Sequence, residues 1–151
     1  MKKVPLLFKR LPHGEGLPLP KQQHDEDYVD AGMDIAAAHD EVIESGDYKM
    51  IRTGFCVAVP KEYVLDVRSR SGMAKEEGVV VLNSPGTIDS GYRGEIGVIL
   101  INHGSNTFHI RRGERVAQLV LLPCPEVEAI EVEALDATER GENGFGSTGV
   151  R

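Results

Sequence analysis

The feature that most constrains this chain is its punctuation. Short β-branched runs recur along it, each closed by Gly, Pro, Asn or Asp, and no long stretch keeps a helical period. The runs cover residues 48–59, 63–67, 79–82, 96–102, 107–110 and 116–122. In 55–59 and 97–101 both faces of the strand are apolar enough to be partly buried. Short strands separated by turn signals predict an all-β fold: a sandwich, a jelly roll or a small barrel. The best helix is a piece of one or two turns over residues 72–77. A length of 151 residues suits one domain with a single core. Aromatic residues make up 5% and Trp is absent, so Val, Ile and Leu must supply that core.

Charge and cysteine content narrow the function. The formal net charge is -7, which argues against a nucleic-acid coat or a membrane-surface protein. An anionic substrate would have to meet a local Arg cluster or arrive with a cation. Cys56 and Cys124 form no CxxC pair, and two thiols suit a reducing compartment. The apolar stretch 4–8 is too short for a signal peptide, and no run reaches the roughly 20 apolar residues of a membrane span. The expected location is the cytoplasm. The histidines, 13, 24, 39, 103 and 109, show no metal-ligand spacing, and HExxH, GxSxG and P-loop patterns are absent. Residues 12–30, rich in Pro, Gly and charge, read as a surface loop. Residues from Asp136 onward are Gly-rich and polar, with little to bury, and read as a mobile tail.

Five segments can carry chemistry, and each also has an ordinary structural reading. In AGMDI (31–35), Gly32 permits unusual backbone, and Asp34 is a turn residue, a paired carboxylate or one aimed at a ligand. In RSRSGMA (68–74), Arg and Ser beside a short helix make an anion cradle, or a strand exit with a capping Ser. In 83–97, Ser90 and Gly91 suggest a hairpin turn flanked by Asp89 and Tyr92. Free backbone groups there can read a flat polar base, Asp89 can activate water, and Tyr92 can wall a sugar. Otherwise Asp89 is a turn residue and Tyr92 a cross-strand packer. In GERVAQLV (113–120), Gln118 either ties strands together or faces a ligand. In RGENGFGSTG (140–149), glycines, hydroxyls, Arg140 and Phe145 suit a phosphate-binding lid or a disordered tail.

In this order the five segments resemble the five motifs of the trimeric dUTPase family, over about residues 31–149. Met33 and Met73 depart mildly from the family's usual residues. The resemblance implies a distorted jelly roll, or β-clip barrel, assembled as a homotrimer with active sites between subunits. It implies a body over 1–136 and a Gly-rich lid over 137–151. The implied activity is hydrolysis of dUTP to dUMP and pyrophosphate, limiting uracil in DNA and supplying dUMP for dTMP synthesis. Asp89 would be the general base, with attack at the α-phosphorus. Tyr92 would pack on the deoxyribose and exclude a 2′-hydroxyl. Asn83 and the backbone near Thr87, Ile88 and Gly97 would read uracil. Arg70, Ser71, Gly72 and Gln118 would hold phosphates from the body; Arg140, Gly146, Ser147 and Thr148 would do so from the tail, with Phe145 stacked on the base. Mg²⁺ would ride on the triphosphate without a direct protein ligand, Asp34 being at most an outer-shell partner. Neither nucleic acid nor membrane is expected as a partner. A dCTP deaminase of the same fold, alone or bifunctional, is the nearest rival, but no catalytic acid for it is assignable. A non-catalytic, partner-binding protein is the rival from another class.

Overall fold

The computed structural model describes residues 3–23, 27–146 and 149. The strands, in chain order, are β1 (Leu7–Arg10), β2 (Met33–Ala36), β3 (Glu41–Ile43), β4 (Tyr48–Ala58) and β5 (Tyr63–Arg68), then β6 (Val79–Val81), β7 (Gly86–Ile88), β8 (Glu95–Asn102), β9 (Phe108–Ile110) and β10 (Arg115–Pro123). One α-helix, α1 (Ser71–Glu77), and a 3-10 turn, Pro12–Gly14, complete the elements. The six runs expected from the sequence are all strands, within a residue or two at each end. β1, β2 and β3 were not expected, and β7 was implied only as one arm of the turn at Ser90-Gly91. The helix starts one residue before its expected position and stops at Gly78, whose φ of 68° closes the last turn.

Two antiparallel sheets of order β1-β4-β8-β6 and β2-β10-β5-β7, with a small β3-β9 pair, make up the fold. Ile51, Val57, Val98, Leu100, Val79 and Val81 project from the first sheet into a core shared with Ile35, Leu65, Val67 and Leu119 of the second. Fully burying one such side chain stabilises the fold by about 1.5–3 kcal/mol, so the core rests on aliphatic residues, as the low aromatic content requires. The long β4 is bent: its register against β8 shifts between Arg52 and Cys56, where Gly54 takes a φ of 76°. Asn102, fully buried at the end of β8, donates to the carbonyls of Ile43 (2.9 Å) and Asn106 (2.8 Å) and accepts from the Gly104 N–H (2.9 Å). It ties β3 to the turn leading into β9.

Two expectations need correction. The Ser90-Gly91 turn exists, and the Tyr92 N–H donates to the Asp89 carbonyl at 3.1 Å. Its flanking strands are not a paired hairpin, however: β7 pairs with β5 in one sheet and β8 with β4 and β6 in the other. The connector from Asp89 to Gly94 is longer than a hairpin loop and crosses between sheets. Nor is 12–30 wholly a surface loop. Leu17 is 5% exposed and packs with Ala38 and Phe55, so the first part of the segment is docked on the body. No helix among the described residues is long and apolar enough to cross a membrane.

Candidate active site

The bent crossing between the two sheets leaves a cavity of about 200 Å³. Val67 of β5, Gly86 to Ile88 of β7, and Ile96 and Gly97 of β8 line it, with Asn83, Asp89, Tyr92 and Glu95. Ile96 (1% exposed) and Ile88 (8%) give it an apolar floor. Above them stand the Asn83 amide, the Asp89 carboxylate, the Tyr92 ring and backbone groups of β7 and β8. Asp89 is exposed at the rim, and its carboxylate has no hydrogen bond or ion pair with any described residue. It is free to bind water. Tyr92 is 45% exposed, and its hydroxyl donates to the Glu95 carbonyl at 2.7 Å. The structure thus gathers Asn83, Thr87, Ile88, Asp89, Tyr92 and Gly97, all expected from the sequence, in one place.

A second cluster is cationic. Asp34 on β2 accepts from Arg70 Nε at 3.1 Å and from Arg115 Nη1 at 3.1 Å. Arg70 Nη1 also reaches the Arg115 carbonyl at 3.4 Å. Asp34 is therefore a paired carboxylate, one of the three readings open from the sequence. Two guanidinium groups about one carboxylate leave one positive charge over, at the start of α1, where Ser71 and Gly72 are exposed. Such a pair of forks with adjacent helix-start N–H groups suits phosphate oxygens. Gln118 is cross-strand from Asp34, and its Nε2 donates to the Ser69 carbonyl at 3.0 Å. It ties β10 to the loop that carries Arg70. Gly32 has no positive φ; a Cβ there would meet the Gln118 side-chain amide, which would have to shift. Arg68, the other arginine of that segment, is turned to Asp66 at 3.0 Å and is not part of the cluster.

None of Arg70, Ser71, Gly72 and Gln118 lines the cavity. The tail is separate from both groups: Arg140 Nε donates to the Asn143 carbonyl at 2.9 Å, Phe145 is fully exposed at a φ of 48°, and Gly146 has a φ of 88°. Ser147 and Thr148 lie outside the described residues. Sequence reasoning assigned no role to Arg115, Glu95, Gly86 or Val67. Arg115 opens a strand beside Gln118, and that was the one available signal.

The chain matches the family model described as dUTPase over residues 18–149. It is 54% identical over 148 residues to the deoxyuridine 5'-triphosphate nucleotidohydrolase of Beijerinckia indica subsp. indica, covering 95% of this chain and 91% of the relative. It is 47% identical to the protein of the same name from Zymomonas mobilis subsp. mobilis, covering 98% of this chain and 99% of the relative. Among solved structures, the dUTPase of Staphylococcus bacteriophage 80alpha with dUPNHPP superposes with a TM-score of 0.86 at 31% identity, over 98% of this chain and all of the other. A dUTPase of phage phi11 of S. aureus, studied for coordination of a structural Mg(II) ion, gives 0.76 at 27% identity over 87% of this chain and 98% of the other.

Proposed function

This chain belongs to the dUTPase family, and from that membership we propose that it hydrolyses dUTP to dUMP and pyrophosphate. The observation that carries the reading is the cavity with one unpartnered carboxylate, Asp89, beside Tyr92. At about 200 Å³ it is smaller than the roughly 300–1,000 Å³ of a drug-sized ligand site. It suits a base with its sugar, leaving the triphosphate outside. Asn83 and the backbone at Thr87, Ile88 and Gly97 read uracil, and a wrong base leaves those groups unpaired. Tyr92 packs on the deoxyribose. Asp89 takes a proton from water as its oxygen attacks the α-phosphorus. The bond from that phosphorus to the bridging oxygen breaks, and pyrophosphate leaves.

Arg70, Ser71, Gly72 and Gln118 hold the phosphates from the body. Arg140, Gly146, Ser147 and Thr148 hold them from the tail, and Phe145 covers the base. The body over 1–136 and the lid over 137–151 act as one unit. A loose phosphoryl-transfer transition state needs mainly positioning and neutralised charge, which these groups provide. Mg²⁺, bound to the triphosphate, adds further neutralisation. Among the described residues no group of three or more His, Cys, Asp or Glu is placed to hold a metal ion. The Asp34 carboxylate, engaged by Arg70 and Arg115, would reach that ion only through water.

We place the working enzyme as a homotrimer in the cytoplasm. Two observations support shared sites: the cavity and the arginine cluster are distinct patches of one chain, and the segment after β10 exposes Val127, Ile130, Val132 and Leu135. Pyrophosphate and ammonia release with Mg²⁺ and each of dUTP, dCTP, UTP and dTTP tests the assignment. Pyrophosphate from dUTP alone is expected; ammonia from dCTP, or no turnover on any of the four, overturns it.

A further inference from the structure

The cavity face of Tyr92 is open, but its pose is set from behind. Its hydroxyl is held by the Glu95 carbonyl. A Cβ at Gly94 would lie 2.5–3.0 Å from the Tyr92 hydroxyl and ring, so the ring lies directly across the Gly94 backbone. Any side chain at that position displaces it.

Glu95 is itself held. Its carboxylate is 2.9 and 2.7 Å from Nε2 of His13, 82 residues away in the chain. The Gly54 N–H reaches it at 3.4 Å, and Arg52 Nε lies 3.6 Å away. A carboxylate only accepts, so His13 Nε2 is the donor. The turn Pro12–Gly14 that carries His13 is docked in its turn. The Leu11 N–H donates to the Gly54 carbonyl at 2.8 Å, and Arg112 Nη2 donates to the His13 carbonyl at 3.1 Å and the Glu15 carbonyl at 2.6 Å. A continuous set of contacts runs from the N-terminal turn through the Glu95 side chain to its carbonyl, and from there to the tyrosine hydroxyl.

We infer that His13 and Glu95 are a positioning pair that, with Gly94, fixes the Tyr92 ring and so sets the preference for a deoxyribose over a ribose. The role rests on the reading of the cavity as the dUTP site. The pair touches no reacting atom; it works by denying the ring the small rotation that would admit a 2′-hydroxyl.

The test measures kcat and KM for dUTP and for UTP in the full-length wild type, His13→Ala and His13→Gln, with thermal midpoints recorded. The glutamine amide can place a donor where Nε2 stands. His13→Ala is expected to lower the dUTP:UTP ratio of kcat/KM by about tenfold, carried by KM, with kcat for dUTP within about twofold of wild type. His13→Gln is expected to keep the ratio close to wild type, and Gly94→Ala to lower it in the same direction as His13→Ala. Undiminished selectivity in His13→Ala overturns the proposal, as does equal loss in the Ala and Gln variants, which would make the packing of the turn the cause. If Gly94→Ala does not fold, the His13 pair decides alone. A wild type with no dUTP turnover removes the reading of the cavity and this role with it. A selective wild type beside an equally selective His13→Ala removes only the role.

Discussion

Asp89 and Arg115 show what a single residue reveals in a sequence and what it hides. Asp89 stands beside a turn with a tyrosine three positions on, so its chemistry is local and legible. Removing its charge while keeping its shape should leave nucleotide binding intact and lower turnover by at least about 10²-fold, the range for a positioned general base. Near-normal turnover in Asp89→Asn, with dUMP binding measured in parallel, would remove it from that role. Arg115 is different. Its partner Asp34 is 81 residues away, and nothing near it in the chain announces the pairing. Arg115→Ala should free one oxygen of Asp34 and remove the positive charge left over in the cluster, with the Asp34 contact to Arg70 kept. We expect KM for dUTP to rise by roughly tenfold with kcat little changed, the pattern of lost uniform binding. A fall in kcat at constant KM would instead put Arg115 on the transition state. Lys49 beside Glu41 holds that carboxyl below its ordinary value, but the pair is exposed and sets no part of the site.

Among the elements, the long runs declared themselves, and of the short strands β6 and β9 did as well. β4, β5, β8 and β10 carry enough alternating or continuous aliphatic residues to declare themselves. β7 has three residues, and its place was misjudged because a turn signal at Ser90-Gly91 looks the same in a hairpin and in a crossing between sheets. In the structure β7 pairs with β5, Leu65 opposite Ile88 and Val67 opposite Gly86, while Glu95 starts a strand held between β4 and β6. Asn102 is the polar counterpart: it serves three backbone groups where β3, β8 and the turn before β9 meet. Asn102→Ala strands those groups and opens a void. It should cost on the order of 3 kcal/mol in chemical denaturation. A loss under about 1 kcal/mol, comparable to an ordinary surface change, would mean that water replaces the amide without penalty.

For the whole molecule, the notable feature is how much apolar surface one chain leaves uncovered after β10. Val127 and Leu135 are 85% and 87% exposed, on a segment with no element of its own. Truncation after Asp136 keeps that segment and removes only the Gly-rich end. It should abolish most dUTP hydrolysis while sedimentation reports the same assembly as the full-length chain. An unaffected rate refutes the lid, and a monomer shows that the end also holds the assembly. The sequence by itself determined the all-β class, six of the ten strands, the short helix and six of the residues that the structure gathers around one cavity. The elements depend on local pattern, β-branched runs and turn residues, and the site residues on five motifs whose order along the chain resembles that of the dUTPase family. Only the tertiary structure decided that Asp34 binds Arg70 and Arg115, that Arg68 turns away to Asp66, and that His13 reaches Glu95 behind Tyr92. Each of these except the Arg68 turn joins residues far apart in sequence, and a charged side chain declares its charge but not its partner until the sheets have brought the two within hydrogen-bond reach.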